Sequence, residues 1–381
     1  MVNSNANALG ILFPNSYDST VPELVSERLM ASIPFAARYR LADFLLSSMV
    51  NCGIDNISII VRENYHSLMD HLGSGRPWDL VRKHGGLNLV PPYSEKTVKV
   101  YNGRVEGIAS ILNYLSRQKE QYVVIADTNI AVNFDFNALI GAHIESGADV
   151  TVVYREEKIP DEWLKSDPIT TSMYYTLDVD NKKVTRIRVN SQDEGVQNLS
   201  MNIYVLDREL LIDLIRTAFV RGHVYFERDI LAHNLDKLNV QAYRYTGYCA
   251  RITGMKSYFD ENMKMLDDTN VDSLFYAGST IYTKVRDDNP ARYLNGAKVK
   301  NTMAADGCVI EGEVENSILF RGVKIKKGAK VKNCVLMQDT VVESGANIEY
   351  LVTDKNVIIS GAQEMKGTDS FPVYVAKGKT V

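Results

Sequence analysis

A six-residue period near the C-terminus constrains the fold of this chain more than any other feature. A small residue followed by an aliphatic one recurs four times, and a second aliphatic row keeps the same interval: Gly322-Val323, Gly328-Ala329, Cys334-Val335 and Thr340-Val341, then Ile325, Val331 and Met337. This period fits neither an α-helix nor a hairpin, whereas a parallel β-helix uses one inward aliphatic residue on each of three short strands per coil. We therefore predict a left-handed parallel β-helix of hexapeptide repeats over residues 296–381, with ordinary short strands as the alternative.

The preceding part of the chain alternates apolar strands with segments of helical period. The clearest strands are residues 8–13, 57–61, 122–126 and 150–154. Apolar strands separated by helices predict a sheet covered on both faces. We expect a Rossmann-like α/β domain with a mixed, mostly parallel sheet over residues 1–266, followed by a polar linker over 267–295.

Composition excludes several functional classes. The 381 residues are 45% hydrophobic and 24% charged, as in ordinary globular proteins, and the net charge of -4 predicts no nucleic-acid or anionic-membrane partner. The apolar runs are too short to span a bilayer, and the polar, uncharged start does not read as a signal peptide. Four widely separated cysteines without a CxxC or zinc spacing indicate buried thiols in a reducing compartment, so we expect a cytoplasmic protein.

The end of the first strand lacks a phosphate-binding loop. Residues 8–15 read Ala-Leu-Gly-Ile-Leu-Phe-Pro-Asn, so the strand runs into Pro14, which has no N–H, and the next glycine is Gly53. Phosphate-binding loops use glycine because it lets backbone N–H groups approach phosphate oxygens at a helix N-terminus. A nucleotide-binding fold without this loop favours binding or regulation over catalysis.

Several motifs in order resemble the ADP-glucose pyrophosphorylase (glucose-1-phosphate adenylyltransferase) family over nearly the whole chain. They are Ile33-Pro34-Phe35-Ala36-Ala37-Arg38-Tyr39-Arg40-Leu41-Ala42-Asp43, Asn51-Cys52-Gly53-Ile54, Ser200-Met201-Asn202-Ile203-Tyr204 and Ile281-Tyr282-Thr283-Lys284. The resemblance implies a nucleotidyltransferase-like α/β domain joined to the β-helix. It also implies a link to ADP-glucose synthesis from ATP and glucose 1-phosphate, which needs Mg²⁺.

The chemical motifs of that family are altered here. By alignment with the family pattern, Met30 replaces a phosphate-binding Lys, Arg104 stands where a small residue is expected, and Thr128 and Arg251 replace two metal-binding Asp residues. Asp127 lies one residue from the first metal position, so a register shift could restore a ligand there. The resemblance therefore implies no catalytic residue and no metal ligand in this chain, with Mg²⁺ expected only in a catalytic partner.

Other family positions suggest ligand contacts. Asp229 matches a residue that faces the sugar, and we assign it to a vestigial sugar pocket, with a structural carboxylate as the alternative. Arg28 and Arg40 resemble effector-contacting positions. Lys330 and Lys332 belong to a basic run in the β-helix that is either a second part of an anionic effector site or a solvated face.

Together these features resemble the GlgD-type, non-catalytic branch of the family. The resemblance implies a regulatory subunit that modulates ADP-glucose synthesis for bacterial glycogen biosynthesis, in a heterotetramer with a catalytic subunit and under an anionic metabolite effector. One alternative is an active sugar-phosphate nucleotidyltransferase with shifted metal ligands such as Asp127 or Asp229. Another is a hexapeptide-repeat acyltransferase, which is weakened because none of the six His lies in the β-helix to act as general base.

Overall fold

The computed structural model describes residues 7–92, 100–165 and 173–381. In the N-terminal part, nine strands form one sheet: β1 Ala8–Phe13, β4 Asn56–Ile60, β5 Gly86–Val90, β6 Tyr122–Asp127, β8 Val150–Lys158, β9 Tyr175–Asp180, β10 Lys183–Val189, β11 Val196–Asp207 and β12 Val240–Arg244. Two small hairpin-like pairs accompany it: β2 Pro34–Phe35 with β3 Tyr39–Arg40, and β7 Ile130–Ala131 with β13 Ala250–Arg251.

Helices cover both faces of this sheet. They are α1 Pro22–Val25, α2 Leu41–Asn51, α3 His66–Leu72, α4 Arg104–Ala109, α5 Leu112–Leu115, α6 Phe136–Ser146, α7 Asp161–Leu164, α8 Arg208–Val220, α9 Met255–Met263 and α10 Asp268–Val271. Shorter 3₁₀ turns lie at Asp18–Thr20, Met30–Ser32, Arg76–Trp78 and Lys264–Leu266, and π-helical turns at Phe226–Leu231 and Asp272–Tyr276. None of the helices within the described ranges is both long and apolar enough to cross a membrane.

The predicted mixed α/β sheet is confirmed, although its parallel share is smaller than expected. Its order is β5-β4-β1-β6-β11-β8-β12-β10-β9, and four of the eight neighbouring pairs in this described sheet are parallel. Strand β11 runs antiparallel to both of its main neighbours, β6 and β8. The parallel strands β1, β4 and β6 all end at one edge, which is where α/β proteins place their ligands.

The predicted parallel β-helix is also confirmed. Its strands are β14 Arg292–Tyr293, β15 Lys298–Ala304, β16 Val309–Ile310, β17 Glu313–Leu319, β18 Lys324–Ile325, β19 Lys330–Lys332, β20 Val335–Leu336, β21 Val341–Val342, β22 Asn347–Glu349, β23 Leu351–Thr353, β24 Ile358–Ile359, β25 Glu364–Lys366 and β26 Val373–Val375. All pairings between these strands are parallel in the described chain.

The repeat departs from a strict hexad on one side of the coil. The strand pairs from β17 to β25 join residues 17 positions apart, as Lys324 with Val341, whereas three full hexads would need about 18. Cys334 and Leu336 therefore point into the β-helix core, while Val335 and Met337, which were predicted to be inward, pack against the N-terminal domain. Both rows are apolar because both faces are buried, so the sequence alone could not tell them apart.

The boundary between the domains differs from the prediction. The segment predicted to be an irregular linker over 267–295 starts with the helical turns of residues 268–276, and β14 at Arg292–Tyr293 already pairs with the second coil. Both residues of β14 are exposed, so they gave no apolar signal. The two domains share a hydrophobic cluster, and Phe259 of α9 packs beside Tyr350 of the β-helix.

Candidate functional sites

A cleft lies at the carboxyl ends of β1, β4 and β6, at the position where an α/β nucleotidyltransferase would bind its substrates. Its walls are mainly aromatic and polar: Phe13, Asn15, Ser16, Tyr17, Ile60, Arg62, Tyr101, Asn102, Gly103, Arg104, Met173, Tyr175, Tyr225 and Glu227. The cleft is thus built from the segment that follows β1 and from the N-terminus of α4, which are the two places where the sequence lacks the family's phosphate-binding motifs.

The segment after β1 forms turns on itself instead of a phosphate cradle. The backbone N–H groups of Asp18, Thr20 and Val21 donate to carbonyl oxygens three residues earlier, at 3.1–3.3 Å. The side chain of Asp18 accepts from the N–H of Met30 at 2.8 Å and from Asn15 at 2.7 Å. These amides are therefore occupied by internal hydrogen bonds and are not offered to an anion.

Arg104 occupies the centre of the cleft with its guanidinium. It forms ion pairs with Asp127 at the end of β6 and with Glu227 in the turn after α8. Its charge also lies over the rings of Phe13 and Tyr204, with 5.7 and 5.9 Å to the ring centroids. Arg104, Asp127 and Glu227 are each at least 91% buried, so this is a desolvated cluster of one cation and two carboxylates.

Burial and charge together determine the ionisation of this cluster. Desolvation disfavours the charge on Arg104, but Asp127 and neighbouring tyrosines outweigh it and raise the pKa of Arg104. Complete burial raises the pKa of Asp127, and Arg104 and the Ser16 hydroxyl offset this only in part. The guanidinium therefore remains the permanent charge of the cleft.

Gly103 is required by backbone packing. A Cβ at this position would lie 2.4 Å from the carbonyl oxygen of Val224, and the N–H of Val105 donates to that same oxygen at 3.2 Å. The close approach that a glycine permits is thus used to join α4 to the turn after α8. It does not serve a ligand.

The residues at the family's metal positions do not fit a divalent cation. Both oxygens of Asp127 are engaged, one by Ser16 at 2.8 Å and the other by Arg104. Thr128 is buried, and Arg251 is buried in an ion pair with Glu157 at 2.7 Å. No group of three His, Cys, Asp or Glu in the described part of the chain could hold a metal. The fixed positive charge of Arg104 beside Asp127 would repel Mg²⁺, because cation binding needs uncompensated oxygen ligands.

Aromatic rings fill the side of the cleft next to Arg104. Tyr17 stacks on Trp163 at 5.6 Å between ring centroids, and Trp163 stacks on Tyr174 at 4.8 Å. The hydroxyl of Tyr17 donates to the carbonyl of Met173 at 3.0 Å and accepts from Asn202 at 2.5 Å. Burial raises the pKa of Tyr17, so it remains a neutral phenol.

Met30 and Asp229 both make contacts within the protein. Met30 is buried in the core that α2 shares with the β-helix, outside the cleft. Asp229 accepts from the backbone N–H groups of Val224 and Tyr225 at 2.9 Å and pairs with Arg228 at 2.6 Å. Partial burial opposes its ionisation, but Arg228 and these N–H groups lower the pKa of Asp229 to about 2. This geometry supports the alternative of a structural carboxylate.

Asp18 gives a pH-dependent prediction for this region. Burial raises the pKa of Asp18 from its ordinary 3.8 to about 6, against the hydrogen bonds from Asn15 and Met30. A raised folded-state pKa gives stability that is present below pH 4 and is lost as pH rises through about 6.

We expect Asp18→Asn, whose amide oxygen can still accept from Met30, to remove about 2 kcal/mol of this pH dependence between pH 4 and 7. Urea unfolding at several pH values measures it, with the exposed Asp213→Asn as a control that should change nothing. An unchanged pH dependence in Asp18→Asn would contradict the assignment.

A second cleft lies between the α/β domain and the β-helix and is strongly basic. Its charged walls come from the turn after β2, from the interdomain segment and from the β-helix: Arg38, Arg40, Lys284, Arg286, Arg321 and Lys355. The nearby carboxylates are already engaged, since Asp43 binds His71 at 2.6 Å and Asp70 binds Lys284 at 3.3 Å. The cleft therefore carries an excess of positive charge, which favours anions.

The mutual repulsion of these cations affects their protonation. Burial and the charges of Arg38 and Arg286 lower the pKa of Arg321. Burial, together with Arg28 and Arg286, lowers the pKa of Arg40 to about 10, against the effect of Asp43. Arg40 donates to the backbone carbonyl of Ser67 at 2.6 Å, which fixes it at the wall of the cleft.

Of the four predicted effector residues, only Arg40 lines this cleft. Arg28 is 2% exposed and pairs with Asp354 of the β-helix at 2.6 Å, so it joins the two domains. Lys330 and Lys332 are exposed on the outer face of β19, where Lys332 lies 3.9 Å from Glu315 and Lys330 is paired in register with Glu313. Their geometry fits the alternative of a solvated face.

Sequence reasoning missed several residues of both clefts. Glu227, Arg286, Arg321 and Lys355 were not singled out. No local motif marks them in the sequence. The fold of the α/β domain brings Glu227 to Arg104, and the packing of the β-helix against that domain brings Arg321 and Lys355 to the basic cleft.

Comparison with known proteins agrees with this architecture. A family model described as nucleotidyl transferase matches residues 24–164, and one described as GlmU-like, C-terminal hexapeptide matches residues 286–370. These two matches define the class: a nucleotidyltransferase-type domain joined to a hexapeptide β-helix.

Full-length relatives identify the family more narrowly. The chain is 35% identical to the glycogen biosynthesis protein GlgD of Bacillus subtilis, over 98% of this chain and 97% of that protein. It is 36% identical to GlgD of Geobacillus stearothermophilus, over 86% of this chain and 83% of that protein. It is 30% identical to glucose-1-phosphate adenylyltransferase of Geobacillus stearothermophilus, over 85% of this chain and 83% of that protein. The chain therefore belongs to the glucose-1-phosphate adenylyltransferase family, in its GlgD branch.

Proposed function

We propose that this chain acts in glycogen biosynthesis as a regulatory, catalytically impaired subunit of a glucose-1-phosphate adenylyltransferase. The observation that carries the proposal is the buried ion-pair cluster of Arg104 with Asp127 and Glu227, in the cleft where substrates would have to bind. Nucleotidyl transfer needs Mg²⁺ to neutralise the charge of the transferring phosphate, and a cleft that already holds a fixed cation and engaged carboxylates cannot supply its ligands.

The basic interdomain cleft supports the regulatory part of the proposal. An effector with phosphate groups would find several cations without counter-charges, and Arg recognises phosphate through two parallel hydrogen bonds. The cleft is built by both domains, and Arg28 and Asp354 join those domains nearby. Anion binding there would therefore change how firmly the β-helix is held against the α/β domain.

The partner in this proposal is a catalytic subunit of the same family, in a cytoplasmic heterotetramer. The support for this partner is indirect. The chain keeps both domains of its relatives, although an ion-pair cluster occupies the cleft of its α/β domain. Mg²⁺ and both substrates would bind the catalytic subunit. The alternative of an active enzyme with shifted ligands is disfavoured because Asp127 and Asp229 are both held in ion pairs.

Activity of the isolated and assembled chains tests the proposal. We expect the purified chain alone to form no ADP-glucose from ATP, glucose 1-phosphate and Mg²⁺. Co-expression with the catalytic chain of the same genome should give a hetero-oligomer by light scattering, with turnover or effector sensitivity different from the catalytic chain alone. Synthesis of ADP-glucose by the isolated chain would support the active alternative. A lack of both complex and kinetic change would refute the proposal.

A further inference from the structure

Lys355 is an unpaired amine inside the basic cleft. It follows Asp354 in the turn between β23 and β24, and its partly buried side chain lines the same cavity as Arg38, Arg40 and Arg321. The carboxylate of Asp354 is already engaged: it pairs with Arg28 at 2.6 Å and accepts from the hydroxyl of Tyr374 at 3.0 Å and from the backbone N–H of Lys355 at 2.7 Å. No carboxylate of the described residues forms an ion pair with Lys355.

The surroundings of Lys355 disfavour its charged form. Burial and the charges of Arg40 and Arg28 lower its pKa to about 7, with Arg286 adding to this and Asp354 opposing it. Arg38, Lys284 and Arg321 complete the cationic wall. At neutral pH about half of the Lys355 side chains are therefore free amines, whereas a solvated lysine is almost entirely protonated. Such an amine is a nucleophile.

The rest of the cleft is suited to hold a phosphate group beside this amine. Arg38 and Arg286 have no carboxylate partner in the described part of the chain, and Arg321 donates only to the carbonyl of Lys284 at 3.3 Å. The cations would therefore attract a small anionic electrophile to the cavity that contains the amine of Lys355. This raises the concentration of the electrophile beside the nucleophile.

We propose that Lys355 is a site of acylation by small acyl phosphates. The cleft arginines bind the phosphate group, and Nζ attacks the acyl carbonyl. The new N–C bond forms, the C–O bond to phosphate breaks, inorganic phosphate leaves, and the proton of Nζ passes to solvent. The product is a neutral amide, which removes an amine of the cleft that could gain a proton when an anion binds. This inference rests on the anion-binding cleft of the proposed function and adds a covalent means of weakening it.

Acetyl phosphate provides a direct test on the purified full-length chain. We expect peptide mass spectrometry to show acetylation of Lys355 at least ~10-fold faster than of the exposed Lys324 at neutral pH, because far more of its amine is uncharged. Added inorganic phosphate should slow the reaction at Lys355 and leave Lys324 unchanged. Lys355→Arg removes the amine nucleophile and should lose this modification.

Two results would overturn the inference. One is acetylation of Lys355 no faster than of Lys324 in the folded chain. The other is a fast reaction that phosphate does not slow, since the cations would then have no part in it. Titration calorimetry with inorganic phosphate tests anion binding to the cleft separately from acylation of Lys355. Phosphate binding without selective acetylation refutes the acylation and leaves the effector cleft standing.

Discussion

Replacing Arg104 by alanine is expected to lower the free energy of unfolding by about 3–5 kcal/mol, because Asp127 and Glu227 would stay buried without their cation. Denaturant unfolding near neutral pH measures this loss. The loss should shrink as pH falls, since the two carboxylates can then take up protons and remove their own charge. An effect of this size at a family active-site position would mean that the position now serves the stability of the fold.

Two controls make this prediction specific. Arg188→Ala removes an exposed pair of ion bridges to Asp178 and Asp193 and should change the free energy of unfolding far less than Arg104→Ala, because water screens exposed charges. The triple variant Arg104→Met, Asp127→Asn and Glu227→Gln should recover most of the unfolding free energy that the loss of Arg104 removes. The reason is that no charge of this cluster then remains buried. A loss below about 1 kcal/mol in Arg104→Ala would show that water reaches the cluster, and the cleft would not be filled as described.

Removing Arg38 and Arg286 together is expected to weaken phosphate binding by about 10-fold to 100-fold for each charge-assisted hydrogen bond lost. Because neither has a carboxylate partner among the described residues, the double change to alanine should leave stability unchanged or raise it by relieving repulsion within the cleft. Titration calorimetry with inorganic phosphate, together with thermal unfolding, measures both effects.

The β-helix face offers a matched control for this second prediction. Changing Lys330 and Lys332 to alanine removes the same number of charges from exposed positions outside the cleft. This variant should bind phosphate as the wild-type chain does. Equal losses in the two double variants would mean that net charge alone governs the affinity, and the interdomain cleft would lose its assignment as the effector site.

One stretch of chain connects the two clefts. The segment that begins after β1 contributes Ser16 and Tyr17 to the filled cleft, and Asp18 of this segment accepts from the N–H of Met30. Two residues before Met30, Arg28 makes the ion pair with Asp354, which precedes Lys355. The segment after β1 thus joins the first cleft to the domain interface.

The sequence by itself determined the architecture. Apolar strands alternating with helices, and small and aliphatic residues repeating every six positions, can each bury their side chains in only one kind of fold, so the order of the two domains followed. Comparison of the sequence with the family's pattern also located the altered positions Met30, Arg104, Thr128 and Arg251, because a changed residue type is visible without coordinates.

Only the tertiary structure decided what those changes accomplish. The ion pairs of Arg104 with Asp127 and with Glu227, which lies 123 positions away in the chain, depend on the fold of the α/β domain. The basic cleft depends on the docking of the β-helix, which places Lys355 among arginines that are far away in the chain. Charge interactions act through space and carry no periodicity along the sequence, so no local pattern could have predicted either site.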